Sequence, residues 1–225
     1  RKLNSRAGAQ RGNLQSVVAT ELEAKLSLAY AALPLKDEPR VGWVQHGVMH
    51  AETVAAHSWG TAYLCLLFAE AAGVNRAKAV EIAVLHDLAE ATTGDHAARL
   101  DPLDRAVSEA EKSARELAAM NELLPAPVAH LRALWLEYEE RTSPEAVFVR
   151  DMNLLDMCLQ GLKYERDGRY DPTVLIPSRG GHRHLDEFFA GAEVRLDGEL
   201  AKRLFGLVHA WYLEAKQEAT RSAAT

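Results

Sequence analysis

Cysteine is scarce in this chain: only two occur among 225 residues, Cys65 and Cys158. Both fall within apolar helical stretches and read as reduced core residues of an intracellular protein. Long apolar runs are missing too. None approaches the ~18 residues needed to cross a bilayer, and no signal-peptide pattern opens the sequence, so the expectation is a cytoplasmic protein without membrane contact. Basic residues are in deficit, with 26 Lys and Arg against 32 Asp and Glu and a net charge of −6. That balance argues against a general binder of nucleic-acid backbones. Strand alternation, internal repeats and sustained heptads are also absent, which leaves an all-α reading.

What is present is ordinary globular material, 48% hydrophobic and 26% charged, enough for one sizeable core. Residues 1–13 are polar and read as a flexible N-terminal segment, 14–216 as one compact helical domain, and 217–225 as a flexible tail. Helical spacing predicts elements over Leu14–Leu33, Thr53–Ala72, Asn75–Ala91, Asp101–Leu123, Pro127–Arg141, Pro144–Arg166, Leu185–Ala190 and Leu196–Glu214. Gly73 and Asn75 punctuate the second and third of these as stop and cap. Leu35–Glu52 reads as an irregular loop and Asp167–His184 as a long connection.

The chain is organised around His86-Asp87-Leu88-Ala89-Glu90-Ala91-Thr92-Thr93-Gly94-Asp95. This stretch ends an apolar helical run, where an unpaired imidazole and carboxylate are costly to bury. A divalent cation is the obvious partner. Glu90 stands one turn beyond His86 on the same face, and the turn at Thr92-Thr93-Gly94 brings Asp95 back over it. His57 lies in the first turn of the preceding helix. Mixed nitrogen and oxygen ligands suit a hydrolytic divalent ion better than a structural zinc site, which prefers thiolates. Any one histidine in an amphipathic helix is more often a satisfied core or surface residue. His46, His50, His96, His130, His182, His184 and His209 keep that reading individually. Trp59, Trp135 and Trp211 read as core, and the acid-rich Asp101–Glu116 stretch as a solvated face.

Arg40-Val41-Gly42-Trp43-Val44, Glu52-Thr53-Val54-Ala55-Ala56-His57-Ser58, His86-Asp87-Leu88-Ala89-Glu90 and Gly94-Asp95 together resemble the HD-domain phosphohydrolases, most closely the 5′-deoxynucleotidase branch. The likeness continues through Leu134–Glu139 and Phe148–Arg150 to Met157–Gln160 and Tyr164-Glu165, and so covers roughly Leu33 to Arg166. The resemblance implies an all-α HD-domain bundle holding one divalent metal ion (Co, Mn, Zn, Mg or Fe). It also implies a nucleotide substrate, hydrolysis of a phosphate monoester, and a homodimer; the apolar residues of Leu185–Ala190 and of the last helix read as an available surface for it. His57, His86 and Asp87 match three metal ligands. Glu90 matches the acid that orients the attacking water, and Asp95 the acid that protonates the leaving sugar oxygen. Arg40 and Trp43 fall in the loop that contacts phosphate and nucleoside. Lys112 sits where relatives often carry a basic residue.

The fourth ligand departs from the pattern. The family's final Asp lies seven residues before the position of Gln160, and here that position is Asn153. An amide oxygen still donates to a cation but brings no formal charge, so weaker metal binding is the direct expectation. Asp151 points about 200° away along the helix and cannot stand in, whereas Asp156 lies near the same face. The readings left open are a natural amide ligand, relocation to Asp156, or loss of activity. Alternatives to a monophosphate hydrolase are an HD-domain hydrolase of nucleoside triphosphates and a non-catalytic protein that binds nucleotide.

Overall fold

A computed structural model describes residues 21–96, 108–124, 128–172 and 184–223. Ten helices are described. They are α1 (residues 21–31 of its length), α2 (Val41–Gln45), α3 (Val54–Ala72), α4 (Arg76–Leu85), α5 (Glu90–Thr93), α6 (Glu109–Leu123), α7 (Ala129–Glu140), α8 (Pro144–Arg166), α9 (Asp186–Glu193) and α10 (Glu199–Ala223). No strand occurs among the described residues, and the extended pairing there is an isolated bridge between Pro39 and Thr53. The all-α expectation holds. No described helix is long and apolar enough to cross a membrane.

The three helices that carry the site start at side-chain caps, which fix where each begins. Thr53 Oγ1 accepts from Ala56 N at 3.2 Å, the Asn75 side chain from Lys78 N at 3.2 Å, and Ser143 Oγ from Ala146 N at 3.1 Å. Each satisfies a backbone donor that the first turn would otherwise orphan. Gly73 ends α3 at φ +71°, a conformation that a residue with a Cβ resists. At the start of α8, Pro144 occupies a position where a missing N–H costs nothing.

Helix α8 is the axis of the bundle. Ala146, Val149, Met152, Leu155, Cys158 and Leu162 are all buried, and other buried residues lie between them around the helix. A helix apolar on most sides has to be surrounded, and α8 packs against α3, α4, α7, α9 and α10. Cys65 and Cys158 are both buried and free. A second apolar cluster, around Leu85, Leu88, Met120, Leu124, Val128 and Trp135, fastens α6 and α7 beneath the end of α4.

Several sequence-based expectations need revision. The Asn75–Ala91 helix breaks after Leu85, and residues 86–89 form a turn before α5 resumes. The loop expected over Leu35–Glu52 contains a 3-10 turn (Leu33–Lys36) and α2. Helix α10 runs to Ala223, past the expected Glu214 and into the segment read as a flexible tail; residues 1–13 lie outside the described residues. Trp135 is core, but Trp59 is 69% exposed and Trp211 45%. Leu185 and Phe189 are buried and Phe188 and Ala190 half-buried, so Leu185–Ala190 offers less apolar surface than expected. Glu116, expected on a solvated face, is buried.

Candidate active site

The break after Leu85 places the site. Its turn lets successive residues serve different purposes: Leu88 and Ala89 enter the core, while His86, Asp87 and Glu90 face the space between α3 and α8. His86 Nδ1 lies 2.7 Å from the Ala83 carbonyl. A carbonyl only accepts, so Nδ1 must carry a hydrogen, and in the neutral ring Nε2 holds the lone pair. His57, fully buried on α3, is fixed in the same sense by Asp156 of α8, whose Oδ2 lies 2.7 Å from its Nδ1. The two rings meet edge to face at 5.4 Å.

Their Nε2 atoms converge on one carboxylate oxygen. Asp87 Oδ2 lies 3.1 Å from His86 Nε2 and 3.8 Å from His57 Nε2. Both Nε2 atoms are buried, and apart from this carboxylate neither has a partner. Two buried lone pairs and a carboxylate, all within 4.8 Å of one another, form a donor set that fits a divalent cation.

For His57 the charge balance agrees with that fit, whereas at His86 a cation has to displace the Nε2 proton that Asp87 favours. Burial and the Arg40 guanidinium press the His57 imidazole down to about 3, so it is neutral and able to ligate. Burial disfavours the charged forms of both His86 and Asp87. The contact between the two outweighs it, holding the imidazolium above its usual range and the carboxyl well below.

Around this set stand the other candidates. Glu90 is buried, one Oε2 lacks a partner, and its Oε1 lies 3.9 Å from Lys112 Nζ. Burial, with Asp87 and Asp95 close by, raises its carboxyl well above the ordinary value. Lys112 also pairs with Glu116 at 3.4 Å, which explains why that acid is buried. Beyond α5, Gly94 takes φ +74° and turns the chain so that Asp95 accepts from Val41 N at the start of α2. The Arg40 guanidinium sits between Asp87 and Asp95 at 3.4 and 3.5 Å. Both contacts are longer than a tight charge-assisted pair of about 2.8 Å.

Trp43 is placed otherwise than expected. It is 1% exposed, packed against Phe188 at 4.0 Å and Tyr164 at 5.2 Å, and its indole donates to Glu52 Oε1 at 2.9 Å. With the ring enclosed, it has no free face for a base. Asn153 donates its amide nitrogen to the Tyr138 hydroxyl at 2.8 Å, which leaves Oδ1 as its ligand-competent atom. Tyr138 in turn packs edge-on to His86 at 5.3 Å. Asp151 is committed elsewhere, accepting from Asp197 N and Gly198 N at the entrance to α10.

Tyr138, Glu52 and the His57 contact of Asp156 are what residue-type reasoning missed. Tyr138 sits in an acid-rich helix with no ligand pattern to mark it, and Glu52 precedes the Thr53 cap by one residue.

The HD domain family profile matches residues 33–181. The chain belongs to the HD-domain family. The 5′-deoxynucleotidase hdd1 of Schizosaccharomyces pombe is 35% identical over 140 residues, 59% of this chain and 68% of that protein. The 5′-deoxynucleotidase HDDC2 of Danio rerio is 35% identical over 164 residues, 71% and 73% of the two chains. Among solved structures, a Pyrococcus horikoshii OT3 protein superposes with a TM-score of 0.64 at 30% identity, over 83% of this chain and 98% of that one. A Magnetospirillum magnetotacticum protein described as a predicted metal-dependent phosphohydrolase gives 0.61 at 26%, over 88% and 94%.

Proposed function

We propose that this protein is a metal-dependent 5′-nucleotidase that releases phosphate from deoxynucleoside 5′-monophosphates. The observation that carries the reading is the convergence of two buried imidazole Nε2 atoms on Asp87, directly beside Arg40, Glu90 and Asp95. The names of the relatives on the same motifs support the substrate class. In this reading His57, His86 and Asp87 hold one divalent ion, with Asn153 Oδ1 as a fourth, uncharged ligand.

When bound, such an ion neutralises phosphate charge and makes water a better nucleophile at neutral pH. The remaining work falls to the chain. Arg40 clamps the phosphate, and its long contacts to Asp87 and Asp95 make it inexpensive to redirect onto phosphate oxygens. Glu90 orients the attacking water through its partnerless Oε2. Asp95, fixed by the Val41 amide at the mouth of α2, hands a proton to the departing O5′. Trp43 supports this loop from behind by holding Glu52.

The protein is further proposed to act in the cytoplasm as a homodimer. Apolar side chains that remain exposed support association: Trp59 stacked on Tyr63 with Leu66 and Leu67 along one face of α3, and Leu207 with Trp211 on α10. Light scattering should return twice the chain mass; a monomer would refute the dimer.

The deciding experiment strips the protein with chelator, reloads it with Mn²⁺, Co²⁺, Mg²⁺ or Zn²⁺, and follows phosphate from deoxynucleoside and ribonucleoside monophosphates and triphosphates. Release from deoxynucleoside monophosphates, lost in His86→Ala, is the expected result. Release from triphosphates alone favours the triphosphate hydrolase. Asn153 supports one other reading, a nucleotide-binding protein without turnover, which prevails if no nucleotide is hydrolysed while binding persists.

A further inference from the structure

Asp156 is a half-buried acid whose role the mechanism above leaves open, and its surroundings are unusual. It reaches His57 Nδ1 at 2.7 Å across the α3–α8 contact, from the side of the ring opposite Nε2. It can do so only because residue 60, one turn along α3 from His57, is glycine. A Cβ placed on Gly60 would lie 2.0 Å from Asp156 Oδ1 and 2.7 Å from its Cγ. Gly60 has no conformational need of its own inside a helix, where glycine costs about 1 kcal/mol relative to alanine. Its place there is explained by the room it gives this carboxylate. One turn before Asp156 on the same helix stands Asn153, the neutral residue at the fourth ligand position.

We propose that Asp156, admitted by the missing side chain of Gly60, is the positioning residue that aims His57 Nε2 at the cation and returns to the centre the negative charge that Asn153 lacks. The inference rests on the metal-dependent reading above. A carboxylate accepting from the far nitrogen of a ligating histidine fixes its tautomer, locks its orientation and makes it a stronger donor. Asp156 Oδ2 faces Nδ1, whereas the converging donors are the Nε2 atoms and Asp87; Glu52, His57 and Asp156 form a separate group on the Nδ1 side whose ligand atoms lie within 4.8 Å of one another. The second acid near His57, Glu52, is engaged by the Trp43 indole.

The test titrates Co²⁺ into metal-free protein by competition with a chromophoric chelator. The visible Co²⁺ spectrum serves as a record of the ligand set. Asp156→Asn should weaken Co²⁺ binding about 10–100-fold without changing the band pattern or lowering the melting temperature of the metal-free protein. Adding Asn153→Asp should recover most of that loss. Gly60→Ala should weaken Co²⁺ binding in the native background and have no further effect in Asp156→Ala, a coupling that independent structural damage would not produce. Unchanged Co²⁺ affinity in Asp156→Asn, with or without a lower melting temperature, overturns the proposal. A changed spectrum of Asp156→Asn at saturating Co²⁺ also overturns it, by making Asp156 a ligand. His57→Ala separates the two levels: if that variant keeps Co²⁺, the metal centre itself is misplaced.

Discussion

Replacing Asn153 by Asp adds one negative charge to a group of acids that the metal-free protein already holds at some cost. Asn153 donates to the Tyr138 hydroxyl, and burial together with the charge of Asp87 keeps that phenol from ionising, so the field of Asp87 reaches this spot. The hydroxyl can rotate and donate to a carboxylate at position 153, so the contact itself should survive. The added charge is what changes the energy. Two like charges ~6 Å apart at an effective dielectric of ~20 repel by about 3 kcal/mol, and some of that relaxes through water and protonation. The metal-free Asn153→Asp protein should therefore lose about 1–3 kcal/mol of stability, read as a lower midpoint in urea. Binding a dication turns the same charge into an attraction, so Mn²⁺ affinity should tighten about ten- to a hundredfold, or about 1.4–2.8 kcal/mol. Stability in urea with and without Mn²⁺, together with chelator competition, measures both sides. If metal-free stability and Mn²⁺ affinity are both unchanged, position 153 does not face the cation and the four-ligand assignment fails.

Glu90→Gln should leave Co²⁺ content intact by elemental analysis while cutting phosphate release about a hundredfold, as removal of a water-orienting base does; loss of metal would make Glu90 a ligand instead. Cation affinity should fall as pH drops from 8 to 6. The His86 imidazole keeps its proton above the ordinary range, first against burial and then through Asp87, so protons compete with metal in that window. A pH-independent dissociation constant would contradict this. Trp43→Phe should cost about 1–3 kcal/mol in a denaturant melt, because Glu52 Oε1 loses its indole donor in a buried setting. Lys78→Met should cost under about 1 kcal/mol, since its pairs with Glu137 and Glu145 are partly solvated; a larger loss would mean that the pairs, more than the apolar faces, hold α4 to α7 and α8.

The fold was legible where local rules and burial agree. Thr53, Asn75 and Ser143 are capping residues followed by apolar spacing, and helices begin after all three. Legibility failed where tertiary demands override local preference. Residues 86–89 have nothing against a helix in their composition, yet the backbone unwinds there because Leu88 and Ala89 must reach the core while His86 and Asp87 face α3. Trp59 and Trp211 were misread for a simple reason. A large aromatic residue says how much area is available to bury, but not whether this chain or another surface covers it.

The site divides along the same line. Chemistry confined to one segment, such as His86-Asp87 with Glu90 four residues from His86, can be read from spacing alone. What joins segments cannot. The enclosure of Trp43 depends on Phe188, 145 positions away in the chain, and Asp156 touches His57 across a separation of 99. Gly60 is the sharpest case. In the sequence it is a weak point inside a helix, with no motif to explain it, and in space it is the gap through which a carboxylate reaches the back of His57. Asn153 alone suggests a weakened centre, whereas Asn153, Asp156 and Gly60 together describe one in which the negative charge has moved outward behind a ligand. A relative with a larger residue at the position of Gly60 could not keep the Asp156 carboxylate in this place, so the outward shift of charge requires both changes together.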